Sequence, residues 1–248
     1  MPQVIIITGG SSGIGAETAR LAAERGYAVA VGYHEQRALA EAVVASIQER
    51  GGSALAVQVD VRLESDVVRL FETVDRELGR VSVLVNSAGL SHGQQRLVDM
   101  TAARIERVLS TNVTGTLLCS REAVRRMSTE RGGSGGTIVN LSSAAARLGS
   151  AGEYVDYAAS KGAIDTFTLG LAREVAAEGI RVNAVRPGII DTEFHGRGGD
   201  PGRAERLGRS IPLGRSGTAR EVALAVLWLA SDESSYSTGA LLDVSGGR

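Results

Sequence analysis

The sequence predicts a doubly wound α/β fold on a seven-stranded parallel sheet, in one domain spanning residues 1–248. Three observations predict it. Short runs rich in β-branched residues alternate strictly with longer helical patterns. Those short runs are apolar at consecutive positions, as strands covered on both faces are. A glycine-dense turn joins the first run to the first helix.

Residues 4–8 (VIIIT) read as a buried strand, and 13–26 as a helix closed by Gly26. Residues 28–33 (AVAVGY) are the next strand, and RALAEAVVASIQERG the next helix. Residues 54–61 read as a strand, 64–79 as a helix with an acidic first turn, and 81–89 as a strand running into a turn. The stretch 101–130 is predicted as one long helix, followed by a strand at 136–143 and a second long helix at 153–179. A strand at 180–188 meets Pro-Gly; a helix at 218–231 and a strand at 239–244 complete the pattern. Parallel strands of this kind are joined by right-handed crossovers. The glycine-rich segment 130–137 resembles a linker, but the alternation continues across it, so a surface loop is expected.

Apolar residues make up 43% and charged residues 22%, enough for a sizeable core. The formal net charge of −1 argues against nucleic acid or an anionic membrane as partner. No apolar run approaches the roughly 20 residues of a membrane span, and the N-terminal residues carry no signal-peptide pattern, so a cytoplasmic protein is expected. The one cysteine, Cys119, permits no internal disulfide and reads as a small core residue. His92 and His195 have no partners at ligand spacing, so no metal is expected. Trp228 reads as core or interface.

TGGSSGIG (8–15) sits between a strand and a helix. Glycines let backbone amides approach a pyrophosphate, and the helix N-terminus adds partial positive charge. Gly9, Ser11, Ser12, Gly13, Ile14 and Gly15 are therefore candidate cofactor-binding residues of a Rossmann-like turn.

Lys161 is the only lysine; the other 26 basic residues of the 27 are arginine. Tyr157 precedes it by one helical turn, so both side chains share a face. An ammonium is compact enough to sit beside a phenol, whereas a guanidinium is a wide planar fork. A nearby positive charge favours phenolate, which is expected to lower the Tyr157 pKa and suit it to acid/base work.

Taken together, these motifs resemble the short-chain dehydrogenase/reductase family from Thr8 to the closing LLDVSGG. The glycine turn is similar to the family's TGxxxGIG. NSAG (86–89) is similar to its NNAG turn, with Ser87 in place of the second asparagine. YAASK (157–161) matches its YxxxK. The resemblance implies a catalytic set of Asn112, Ser143, Tyr157 and Lys161. Ser142 competes with Ser143, and the resemblance favours the second. It implies that Asp60 and Val61 meet the adenine, that Asn86, Ala88 and Gly89 flank the cofactor, and that Pro187, Gly188, Ile190 and Thr192 meet the nicotinamide end. In the implied reduction Tyr157 protonates a carbonyl oxygen as hydride reaches carbon, and Ser143 hydrogen-bonds that oxygen. Lys161 holds the ribose, and Asn112 steadies Lys161.

The segment 189–212 falls where the family carries its substrate lid. Tyr154, Phe194 and Ser143 are candidate substrate-pocket residues, with His195 beside them. Arg197, Arg203, Arg206 and Arg209 read as a solvated arginine surface, with attraction of an acidic substrate as the alternative. The two long helices match those that pair subunits in the family, implying a homotetramer or homodimer.

Tyr33 occupies the place of the acidic residue that selects NAD. His34 and Arg37 are candidate partners of a 2′-phosphate, whereas Glu35 argues the other way. NADP(H) is expected over NAD(H). The function expected is an NADP(H)-dependent oxidoreductase on a small carbonyl or secondary-alcohol substrate, 3-oxoacyl reductase-like or a general carbonyl reductase. The alternatives are an NAD-dependent sugar or secondary-alcohol dehydrogenase, similar to glucose 1-dehydrogenase, and a non-catalytic nucleotide-sensing regulator.

Overall fold

The computed structural model describes residues 3–193 and 202–248. Seven strands form one parallel sheet: β1 (Val4–Thr8), β2 (Ala28–Tyr33), β3 (Ala54–Gln58), β4 (Val81–Asn86), β5 (Gly136–Leu141), β6 (Ile180–Pro187) and β9 (Leu241–Val244). Their order is β3-β2-β1-β4-β5-β6-β9. A separate short pair joins β7 (Ile190–Asp191) to β8 (Gly217–Thr218).

Strand periodicity divides the core. In β1, Ile5 and Ile7 point to one face and Val4 and Ile6 to the other. The first face packs on α1 (Gly13–Glu24), α2 (Arg37–Gln48) and α9 (Ala219–Ala230). The second packs on α3 (Glu64–Glu77), α5 (Gly115–Met127) and α7 (Val155–Val175). Both faces are dry, which is why the strands carry no polar alternation.

The expected helix over 101–130 is interrupted. It comprises α4 (Ala102–Leu109), one π-helical turn over Ser110–Thr114, and α5. A π-turn inserts an extra residue per turn and often marks a functional site. Here it carries Asn112. A short α6 (Ala145–Leu148) and, within the expected lid, α8 (Arg203–Gly208) were not expected from the sequence. Ile189, Ala204 and Ile211 form a small core beneath α8.

Arg181 closes the far end of α9. Its guanidinium donates to the carbonyls of Leu229, Ser231, Ser234 and Ser237, so helix-terminal acceptors without an intrahelical partner are satisfied. Trp228 lies on the outer face of α9 and is 40% exposed, so it is not a core residue. Cys119 is buried, and burial pushes its thiol up to about 12, the state of an inert packing residue. No helix among the described residues is long and apolar enough to cross a membrane.

Candidate active site

The strand order reverses between β1 and β4, and open α/β sheets bind ligands at the carboxyl ends of strands beside such a point. A cleft of about 830 Å³ lies there. Its walls are the segments that follow the carboxyl ends of β1 to β6, completed by the start of α7, residues of the 189–212 segment and Arg248.

The glycine turn forms one wall. Gly9, Ser11, Ser12, Gly13, Ile14 and Gly15 all line the cleft. Gly13 has φ +53°, a left-handed backbone that side chains disfavour. A Cβ on Gly15 would lie 2.3 Å from the Gly9 carbonyl oxygen, so only glycine lets the chain fold this tightly. The twelve-residue α1 then starts with its N-terminus at the cleft. Exposed backbone next to a helix N-terminus suits a pyrophosphate, so these residues fit a dinucleotide. The Thr8 hydroxyl accepts from the amides of Ser87 and Ala88 at 3.2 and 3.1 Å and ties the turn after β4 to the end of β1. Ala88 and Gly89 line the cleft.

Asn86 does not. Its side chain is buried and donates to Ser120 Oγ at 3.0 Å and Asn140 Oδ1 at 2.9 Å. As the last residue of β4 it points between the strands and α5, so its side chain braces the site from behind.

Tyr33, His34, Asp60 and Val61, the residues expected at an adenosine end, line the cleft, and so does Glu35. Arg37 does not. Its Nε donates to Glu41 at 2.7 Å along the exposed face of α2. That i,i+4 pairing turns Arg37 away from the position assigned to it. The arginine that does line this end is Arg62, unnoticed in the sequence although only two residues past Asp60. Its guanidinium grips the Asp60 carboxylate, with Nη2 at 2.5 Å from Oδ2. That hydrogen bond is the main reason the Asp60 carboxyl stays below its ordinary range.

The other end holds the tyrosine and the lysine. Ser143, Tyr154, Tyr157, Lys161, Pro187, Gly188, Ile190 and Thr192 all line the cleft. Phe194, His195 and Arg197 lie outside the described residues. The two serines separate cleanly. The Ser142 hydroxyl is buried and donates to the Lys161 carbonyl at 3.2 Å, whereas Ser143 Oγ accepts from the Ala145 N–H at 3.1 Å and lines the cleft with Tyr157.

Lys161 is buried, and its Nζ donates to the Leu141 carbonyl at 2.7 Å. The ammonium lies 5.6 Å from the centre of the Tyr157 ring. Burial pushes Lys161 down to about 8, with Asp165 one turn on acting in the opposite direction. Burial also pushes Tyr157 up to about 12, and only the Ser143 hydrogen bond pulls it down. The expected lowering of Tyr157 by Lys161 is therefore absent. Both groups share one dry pocket, where desolvation penalises phenolate and ammonium alike. At neutral pH the phenol keeps its proton and the amine keeps its charge.

Asn112 is fully buried in the π-turn. It does not line the cleft. Its Oδ1 accepts from the Leu90 amide at 2.7 Å, and its Nδ2 donates to the Leu90 carbonyl and to Ser160 Oγ, each at 2.9 Å. It thereby fastens α7 to the loop that follows β4.

Arg203 departs from the solvated reading. It is 5% exposed, lines the cleft, pairs with Glu153 through two bonds of 2.9 and 2.6 Å, and stacks 5.2 Å from the Tyr154 ring centre. Only the fold brings residue 203 against residue 153.

A family profile described as Enoyl-(Acyl carrier protein) reductase matches residues 9–248. The chain belongs to the short-chain dehydrogenase/reductase family. Members of this family are NAD(P)(H)-linked oxidoreductases on small-molecule substrates and commonly form oligomers, so this protein is an oxidoreductase. Among short-chain dehydrogenase/reductase relatives, an Escherichia coli K12 protein named "Uncharacterized oxidoreductase YgfF" is 54% identical over 245 residues, covering 99% of each chain. The 3-oxoacyl-[acyl-carrier-protein] reductase of Bos taurus is 41% identical, covering 100% of this chain and 98% of the relative. The crystal structure of a short-chain type dehydrogenase/reductase from Mycobacterium marinum superposes with TM-score 0.91 at 34% identity, covering 99% of this chain and 94% of that one.

Proposed function

We propose that the protein is an NADP(H)-dependent carbonyl reductase of 3-oxoacyl type, with Tyr157 as proton donor. The observation that carries this reading is that Ser143, Tyr157 and Lys161 line one cleft, with the buried Lys161 Nζ 5.6 Å from the centre of the Tyr157 ring. The glycine turn would hold the pyrophosphate of a nicotinamide dinucleotide and the Pro187–Gly188 turn its nicotinamide end, and the bound cofactor would supply hydride. Tyr157 holds a proton at Oη and passes it to the substrate oxygen. Ser143 donates a hydrogen bond to that same oxygen. Lys161 keeps a positive charge behind the phenol, fixed by the Leu141 carbonyl. The 3-oxoacyl class follows the Bos taurus relative, which bears that name. Tyr154, Thr192 and Arg203 line the substrate side in this reading.

The preference for NADP(H) rests on Tyr33 in place of a carboxylate and on His34 and Arg62 at the adenosine end. Arg62 takes the role first given to Arg37. Fluorescence titration with NADPH and, separately, NADH tests this. NADPH is expected to bind about tenfold more tightly, the gap one good charge-assisted contact supports. Tighter binding of NADH would refute the preference, and binding of neither would refute the cofactor turn. NADPH-linked reduction of an acetoacetyl thioester then tests the substrate class.

A second reading has one observation in its favour. Glu35 lines the adenosine end and repels a 2′-phosphate. It points to an NAD-dependent secondary-alcohol dehydrogenase, and a Sinomonas cyclohexanicum relative named "Cis-4-hydroxycyclohexanecarboxylate dehydrogenase" is 39% identical, covering 99% of this chain and 96% of the relative. Alcohol oxidation with NAD exceeding carbonyl reduction with NADPH would favour it.

We also infer a cytoplasmic homotetramer or homodimer. Leu109 and Leu117, flanking the π-turn, and Leu169 on α7 are exposed apolar residues on the two long helical segments. Light scattering is expected to give two or four times the 25.8 kDa chain mass; a monomer at micromolar concentration overturns this.

A further inference from the structure

Arg104 does not line the cleft, yet it is tied to the residue next to Tyr157. It is the third residue of α4, where its amide is fixed by the Thr101 side-chain cap at 3.2 Å. Its guanidinium Nε lies 2.8 Å from Asp156 Oδ2, and its Nη2 lies 3.3 Å from Oδ1. The third nitrogen, Nη1, donates to the Gly93 carbonyl and to Gln95 Oε1, each at 2.8 Å. Asp156 Oδ1 in turn accepts from the backbone N–H of Tyr157 at 2.9 Å. The pair is almost dry, with 10% of the Arg104 side chain and 2% of the Asp156 side chain exposed.

Residues four apart share a helix face. On α7, Asp156 and Ser160 share one face, and Tyr157 and Lys161 share the next. The first face is fastened at two points. Arg104 holds Asp156, and Asn112, beyond the end of α4, holds Ser160. The same two residues hold the loop after β4. Asn112 binds Leu90 at one end, and Arg104 binds Gly93 and Gln95 at the other. The Gln95 amide also donates to the Glu153 carbonyl at 2.9 Å. Leu90 and Ser91 of this loop line the cleft, as Tyr157 does. One fastened face therefore sets the rotation of the other, and with it the distance from the phenol to the loop.

We propose that Arg104, acting through Asp156, is a positioning residue that sets the orientation of Tyr157 relative to the loop 90–95. The inference rests on the reading of Tyr157 as proton donor. A lysine cannot replace the arginine fully, because three of the guanidinium nitrogens are used at once on two separate elements. Burial works against charge on Asp156, and the hydrogen bonds from Arg104 and the Tyr157 N–H outweigh it, keeping the carboxyl below its ordinary range. Removing Arg104 alone would strand a buried charge and unfold the site for a trivial reason. The informative variant removes both partners, Arg104→Leu with Asp156→Met, which replaces a satisfied pair with apolar groups of similar size.

The double variant is expected to keep its NADPH dissociation constant within about threefold and to lose about ten- to a hundredfold in kcat, the usual cost of misplacing a reacting group by about 1 Å. KM for the acetoacetyl thioester is expected to change little. Hydrogen exchange is expected to speed up in residues 90–95 and 154–158 together. Arg104→Lys, which keeps a charge on Asp156 without the fork to Gly93 and Gln95, is expected to fall between, and it carries the test if the double variant does not fold. A kcat per bound cofactor within about twofold of the parent, or unchanged exchange in both segments, would overturn the proposal; a twofold change is about 0.4 kcal/mol. The Tyr157→Phe variant separates the failures. If it stays active, the reading of the site is wrong. If it is inactive while the Arg104 variants are fully active, only the positioning role is wrong.

Discussion

Replacing Tyr157 with phenylalanine is expected to lower kcat by about 10²- to 10⁴-fold while cofactor affinity stays within about threefold. The substitution removes one oxygen and keeps the ring. That oxygen is the proton store of the proposed reduction. The ring still packs in place, with Lys161 Nζ 5.6 Å from its centre. Loss of a single hydrogen bond costs about 1 kcal/mol, so folding should survive the change. Steady-state kinetics with NADPH and an acetoacetyl thioester, together with NADPH fluorescence titration, measure both quantities. A variant that keeps activity within tenfold of the parent rules out Tyr157 as the acid. A variant that loses cofactor binding in parallel with turnover points to a structural rather than chemical role.

The second large effect is expected for Lys161→Arg. Chemically it is a conservative change in a chain where every other basic residue is already arginine. Structurally it is severe. Lys161 is buried with Nζ at 2.7 Å from the Leu141 carbonyl, and a Cβ on Gly89 would sit only 3.7 Å from the same nitrogen. The space is shaped for an ammonium. A guanidinium is wider, and overfilling a packed site costs about 1–3 kcal/mol. It also cannot shed its proton in proteins, whereas burial brings Lys161 down to about 8. We expect kcat to fall by about a hundredfold or more, as a misplaced neighbour of the reacting group would produce. The melting temperature should drop by a few degrees, at about 2–4 °C per kcal/mol for a chain of this size. Lys161→Met keeps the length without the charge and should melt closer to the parent while remaining inactive. Activity of Lys161→Arg within tenfold of the parent would show that charge alone suffices there.

The pKa of Tyr157 shows what a motif leaves open. YxxxK puts the two side chains on one helix face, and a cation beside a phenol favours phenolate. In the folded chain, the pocket that brings them together also dehydrates them. Desolvation then dominates for both groups, and the tyrosine rises instead of falling.

Other departures have the same origin. Arg37 was assigned by its place after a strand, and Asn86 by the resemblance of NSAG to the family's turn. One is drawn off by Glu41 on its own helix, and the other is turned inward toward Ser120 and Asn140. Arg62 and Arg203 gave no local signal to distinguish them in a chain with so many arginines. Each became part of the cleft wall through a carboxylate partner, Asp60 or Glu153. The π-turn at Ser110–Thr114 left the apolar periodicity of 101–130 intact enough to read as one helix, although it is the turn that carries the buried Asn112.

Periodicity and glycine spacing were sufficient for the seven parallel strands, the helices between them, and the turn at Gly9–Gly15. These are local or near-local constraints: β-branched runs bury both faces, and only glycine tolerates the backbone at residues 13 and 15. The single lysine and its tyrosine were legible for the same reason, since one helical turn sets their relation. Partnerships between residues far apart in the chain were not. Arg104 with Asp156, Arg203 with Glu153, and Asn112 with Leu90 and Ser160 exist because the sheet order stacks distant loops at one end of the strands. Burial at that end, which no local pattern encodes, sets the protonation of the groups it encloses.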